Sequence, residues 1–250
     1  MNRAEAQRAR SWGTIGLALA VVLLSVFVAR CEASWEEDLA RMPLTAKPAE
    51  LDARNCATVL FNSFQRGASV HAIILMPGAT DELYFFRRVH ARLTNDAPTL
   101  LDAVCALTNQ SFIQATFRPP LLLLHTVEDP LEPEIVVKDE RMAERIRKKH
   151  FEKRAVFYDR DWDFVEPILA FDLNTRLSPA LRSHDSHHFF RHSFVACGLS
   201  GWEALEAIAL AGKTSVTIER RRIVFKGDTR YRGLPPNLGD FIPERSGKNR

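Results

Sequence analysis

The densest group of chemistry-bearing side chains lies between Ser183 and His192, in the run SHDSHHFFRH. His184, Asp185, His187, His188 and His192 crowd together there, and imidazole and carboxylate are the donors that zinc and similar metals take. His188 and His192 are four apart and would share a face if helical. No H-E-x-x-H pattern accompanies them, and spacing marks no further acid that would complete a ligand set. One reading of the run is therefore a metal-binding hydrolase or metal sensor using His184, Asp185, His187 and His188. The plainer reading is a polar loop entering a strand.

The other candidates point away from catalysis. His71 and His125 fall in or beside expected strands and read as half-buried strand histidines rather than bases. Asp159, Asp161, Asp163 and Asp172 resemble paired carboxylates, but the run from Asp159 to Asp163 lacks the glycine and distal glutamate of a calcium loop. No G-x-S-x-G, P-loop or G-x-G-x-x-G pattern occurs. Cys31, Cys56, Cys105 and Cys197 form no C-x-x-C pair, which argues against a zinc knuckle or a thioredoxin-like motif. Cys105 sits in a helical apolar pattern and reads as a small core residue. The sequence thus assigns no catalytic residue, no cofactor and no metal ligand, and it leans away from an enzyme.

The elements that would carry these residues begin with an uncharged run. Residues 11–29 contain no charge and are bracketed by Arg10 and Arg30. As a helix such a run reaches about 28 Å, close to the hydrocarbon thickness of a bilayer. Arg3, Arg8 and Arg10 precede it, and Glu32, Glu36, Glu37 and Asp38 follow it. The positive-inside rule then puts the N-terminus in the cytoplasm and the bulk of the chain outside, inserted by residues 11–29 in the inner membrane. Trp12 and Trp35 lie near the two expected interfaces. A net charge of +3, from 34 basic and 31 acidic residues, shows no concentrated basic face and argues against a nucleic-acid partner.

Period and punctuation divide the rest. Residues 1–10 read as a cytoplasmic tail, 30–48 as a linker, 49–137 as a first α+β unit and 138–154 as a charged connecting helix. Residues 155–228 read as a second α+β unit and 229–250 as an extended or disordered tail. In the first unit, apolar spacing predicts a helix over 51–65 with Gly67 as its stop signal, then a strand over 70–76. A helix over 99–108 and two strands at 112–117 and 121–124 follow. In the second unit, Ser200 and Glu203 form a capping-box pattern ahead of WEALEAIAL, and Gly212 ends that helix. Strands at 216–218 and 223–225 flank a turn at 220–222.

The second unit repeats part of the first. A shift of 104 positions takes Phe85-Phe86-Arg87 onto Phe189-Phe190-Arg191, and Leu101-Asp102-Ala103-Val104 onto Leu205-Glu206-Ala207-Ile208. The order Phe-Phe-Arg, helix, strand, turn, strand recurs, which is the mark of two related units. The paired Phe-Phe-Arg segments read as core aromatics beside a surface arginine.

The run from Phe194 to Lys226 resembles the short N-terminal βαββ (STN-like) domain of secretins and TonB-dependent receptors. Its parts fall on Phe194-Val195-Ala196, on Trp202 to Leu210, on Ser215 to Ile218 and on Ile223 to Phe225. Residues 99–126 look like a more divergent copy. No outer-membrane barrel follows in this chain, which departs from that family's usual context. The resemblance implies a small non-catalytic interaction module working through sheet edges and helix faces. The expected fold is accordingly α+β, an N-terminal transmembrane helix followed by two small related βαββ-type units, each built on a short antiparallel sheet. The expected function is a membrane-anchored extracytoplasmic scaffold or docking module of the cell envelope, with a protein partner there.

Overall fold

The computed structural model describes residues 34–46, 50–52, 55–76, 89–126, 132–160, 192–220 and 222–228. Two of its strands are apolar on both faces. β2 (Ala72–Met76, AIILM) and β5 (Leu121–His125, LLLLH) are buried at every position, as strands covered from both sides must be. They pair in parallel, Ala72 opposite Leu121 and Met76 opposite His125. β4 (Gln114–Arg118) adds antiparallel to β5 through a short turn, and β9 (His192–Ala196) adds antiparallel to β2. β8 (Ala155–Arg160) closes the row against β9, with a register irregularity between Phe157 and Arg160. The result is a five-stranded mixed sheet in the order β4-β5-β2-β9-β8.

Because strand side chains alternate, each face of this sheet builds its own core. Ile73, Leu75, Leu122, Leu124 and Val195 point to one side. There they meet α1 (Ser34–Ala40), α2 (Cys56–Ser63) and α3 (Leu100–Gln110), through residues such as Leu39, Leu60, Phe61, Leu100 and Leu107. Ala72, Ile74, Met76, Leu121, Leu123 and Phe194 point to the other. There they meet α4 (Glu140–Arg147) and α5 (Gly201–Ala211). A second sheet joins this side, in the order β12-β11-β6, from β6 (Ile135–Val137), β11 (Thr214–Glu219) and β12 (Arg222–Gly227). Two small pairings complete the described fold: β1 (Glu50–Asp52) with β3 (His90–Arg92), and β7 (His150–Phe151) with β10 (Leu199–Ser200).

The expected architecture needs correction. The chain is α+β, but the halves do not form two separate βαββ units on antiparallel sheets. With a short strand interposed before each helix, the order strand, helix, hairpin does occur twice, as β2-β3-α3-β4-β5 and β9-β10-α5-β11-β12. In the first copy the hairpin stays beside its strand; in the second it leaves to pair with β6, and β9 joins the first copy's sheet. Nor is an N-terminal transmembrane helix supported as part of the fold: among the described residues no helix is long and apolar enough to cross a membrane. The segment expected to do so, 11–29, lies outside the described residues, as do both Phe-Phe-Arg segments. The N-caps Thr99 and Ser200 align the two copies at a spacing of 101 rather than 104.

Local chemistry explains other differences. The helix expected over 51–65 starts only at Cys56, because Asp52 and Asn55 exchange side-chain-to-backbone hydrogen bonds of 2.9 Å that occupy the backbone first. Gly67 is not its cap; a Cβ there would press on the Asp38 side chain, so the position is kept bare for close approach. Residues 34–44, placed in the linker by composition, include α1 and bury Leu39, Met42 and Leu44. Within the charged stretch 138–154, α4 turns Met142, Ala143 and Ile146 into the core and is no solvated rod.

Candidate functional site

The polar groups concentrate at the N-terminus of α5, where the two halves meet. Ser200 caps this helix: its Oγ accepts the Glu203 N–H at 3.2 Å, and Glu203 Oε2 accepts the Ser200 N–H at 2.7 Å. The same carboxylate oxygen lies 4.0 Å from Nδ1 of His71. His71 is held by its own backbone, donating to the Pro120 carbonyl and accepting from the Cys197 N–H, both at 2.8 Å. Its Nδ1 is buried and has no hydrogen-bond partner among the described residues.

Around this pair sits a ring of charge. Arg66 reaches Glu152 at 3.5 Å, and its guanidinium covers Gly198, which takes φ +75. Asp38 accepts from the Ser69 N–H at 2.9 Å and from the Ser69 hydroxyl at 2.6 Å. One turn further along α5, Glu206 accepts the Trp202 indole N–H at 3.0 Å, and the Arg147 guanidinium lies 4.6 Å over the Trp202 ring. Burial lowers the His71 pKa below the usual imidazole range; Glu203 opposes this, Arg66 adds to it and Asp38 opposes it. Burial raises the Glu206 carboxyl above its usual range, against the pull of Arg118 and the Trp202 N–H. The group can therefore hold and release protons, but its hydrogen bonds are spent on capping and on joining strands.

Two of the described cysteines are held as thiols. Burial and the nearby Asp52 push the Cys56 thiol up to about 12, and burial with Asp102 and Glu36 raises that of Cys105. Cys105 is exposed rather than the core residue its pattern suggested, and it lines a cavity of about 220 Å³ with Arg92, Asn95 and Asp102. Asp102 is occupied there: its Oδ2 accepts both the Thr99 N–H and the Thr99 hydroxyl.

Most of the sequence candidates are not among the described residues. His184, Asp185, His187 and His188 lie outside the described residues, as do Asp161, Asp163 and Asp172. His192 opens β9, its backbone opposite Arg160. His125 is buried in β5, with Nε2 2.9 Å from the Thr116 hydroxyl. Among the described residues no group of three or more His, Cys, Asp or Glu is placed to hold a metal. The His71–Glu203 pair escaped sequence reasoning because its members belong to different halves. Only the capping box gave a local signal, and that signal speaks of a helix start.

A second kind of site lies at the sheet edges. Among the described residues, β8 ends the five-stranded sheet and β6 ends the three-stranded one. Each carries an exposed valine, Val156 at 43% and Val136 at 41%, the two large exposed hydrophobic residues among those described. Next to Val156, the Arg154 guanidinium donates to the Phe61 carbonyl at the end of α2, which fixes the start of β8 on the helical layer. Comparison with protein-family models, with curated proteins and with solved structures found no match.

Proposed function

We propose that this chain is a non-catalytic docking module, of the STN-like interaction type, that takes an extended segment of a protein partner on the β8 edge of its central sheet. The observation that carries this reading is Val156, 43% exposed on a strand that ends a five-stranded sheet. An edge strand offers a row of N–H and C=O groups to an incoming strand, and an exposed apolar side chain beside them adds area to bury. The location that goes with it, the outer face of a bacterial-type envelope membrane, rests on the sequence alone: the charge asymmetry around residues 11–29.

The test is capture of partners from the chain's own membrane fraction with wild type and Val156→Lys. An edge lysine discourages strand addition, and a surface substitution away from special features changes stability by only about 0.5 kcal/mol. The variant should melt with the wild type and lose the captured protein. Capture that persists with the variant, with Val136→Lys as the matched control on the other edge, removes β8 as the docking strand.

A further inference from the structure

Glu203 stands at a junction of two demands. It closes the cap of α5, and it is the carboxylate nearest to Nδ1 of His71, the buried ring nitrogen that has no partner among the described residues. Three charged groups act on that ring, each from a different element: Asp38 from α1, Arg66 from the segment after α2 and Glu203 from α5. Arg66 is itself paired with Glu152, and Glu206 lies one turn further along α5 beside Glu203. The backbone of His71 is pinned at both N–H and C=O, so the start of β2 is fixed opposite the N-terminus of α5.

We propose that His71 and Glu203 form a proton-operated latch between the start of β2 and the N-terminus of α5. In the neutral imidazole with its proton on Nε2, Nδ1 is a buried acceptor with no donor within reach among the described residues. One proton taken from solvent makes both ring nitrogens donors, and Nδ1–H then has the Glu203 carboxyl oxygen Oε2 4.0 Å away. Drawing that oxygen toward the ring weakens the bond it accepts from the Ser200 N–H, so the cap and the 197–200 turn respond to the proton on His71. Burial and Arg66 delay the uptake to a pH below the ordinary imidazole range, so the latch operates on acidification.

The test is a pH titration of the full chain followed by nuclear magnetic resonance, reading the His71 ring together with the Ser200 and Glu203 amides. The two amides should shift with the midpoint of the ring, and that shared step should vanish in His71→Gln. Glu203→Gln keeps an oxygen for the cap but lacks the charge, so the His71 midpoint should move down. Amides that stay flat through the ring's titration, or a step that survives in His71→Gln, overturn the latch. An unchanged His71 midpoint in Glu203→Gln overturns it too, and decides the matter by itself if His71→Gln does not fold.

Discussion

At the scale of single residues, polar side chains mostly act as ties between segments distant in sequence. Asp38 is the clearest case, since its carboxylate gathers both polar groups of Ser69 and sits against Gly67. Burial pushes its pKa up, but the Ser69 hydroxyl and backbone, the Ala68 N–H and Arg41 outweigh that and hold the carboxyl below its usual range. A carboxyl depressed in the folded state adds stability that is present above its unfolded pKa and lost as pH falls through the folded one. Asp38→Ala should therefore cost about 1.5–3 kcal/mol at neutral pH, the usual worth of hydrogen bonds to a charged group. The gap between the two proteins' melting temperatures should narrow below about pH 4, where the carboxyl of the unfolded wild-type chain takes up protons before the folded one does. A gap that stays constant into acid would show that Asp38 acts through packing alone.

At the scale of elements, the contact of α4 with α5 depends on one bare position. A Cβ on Gly201 would sit on the Ile146 carbonyl oxygen and 3.1 Å from Lys149 Cβ, while the Gly201 N–H donates to the Lys149 carbonyl at 2.7 Å. Gly201→Ala should thus cost about 1–3 kcal/mol in urea unfolding, the range for overpacking, although alanine is otherwise the better helix residue. An unchanged midpoint would mean that α4 can shift away freely. Elements were legible in the sequence where local signals agreed. The Ser200–Glu203 cap and the apolar helix behind it fall on α5, and the β-rich runs beside Pro119-Pro120 fall on β4 and β5. They were illegible where tertiary burial decides. α1 is short and acidic, and only Leu39 and its neighbours packing on the α3 side make it a helix of the core. α4 carried an apolar stripe at Met142, Ala143 and Ile146, hidden by the charge around it.

At the scale of the whole molecule, the sequence repeat suggested two units, yet the sheet makes one. The reason lies in β2, whose alternate residues serve different cores: Ile73 and Leu75 the α1–α2–α3 side, Ala72, Ile74 and Met76 the α4–α5 side. Strand pairing between β2 and β9 is nonlocal, and nothing in the short run Phe194-Val195-Ala196 names its partner in advance. Since both cores share a sheet, neither can unfold without exposing the back of the other, and unfolding should be a single cooperative transition. Leu107 on α3 and Ile208 on α5 are both fully buried, one in each core. Leu107→Ala and Ile208→Ala should each cost about 2–5 kcal/mol, the range for truncating a large aliphatic side chain in a core. Each should lower the one urea midpoint, and amide exchange protection should fall in α3 and α5 together whichever residue is cut. Two transitions, with Leu107→Ala moving only one and Ile208→Ala only the other, would instead mean that the halves fold separately and that the β2–β9 pairing is a contact between finished domains.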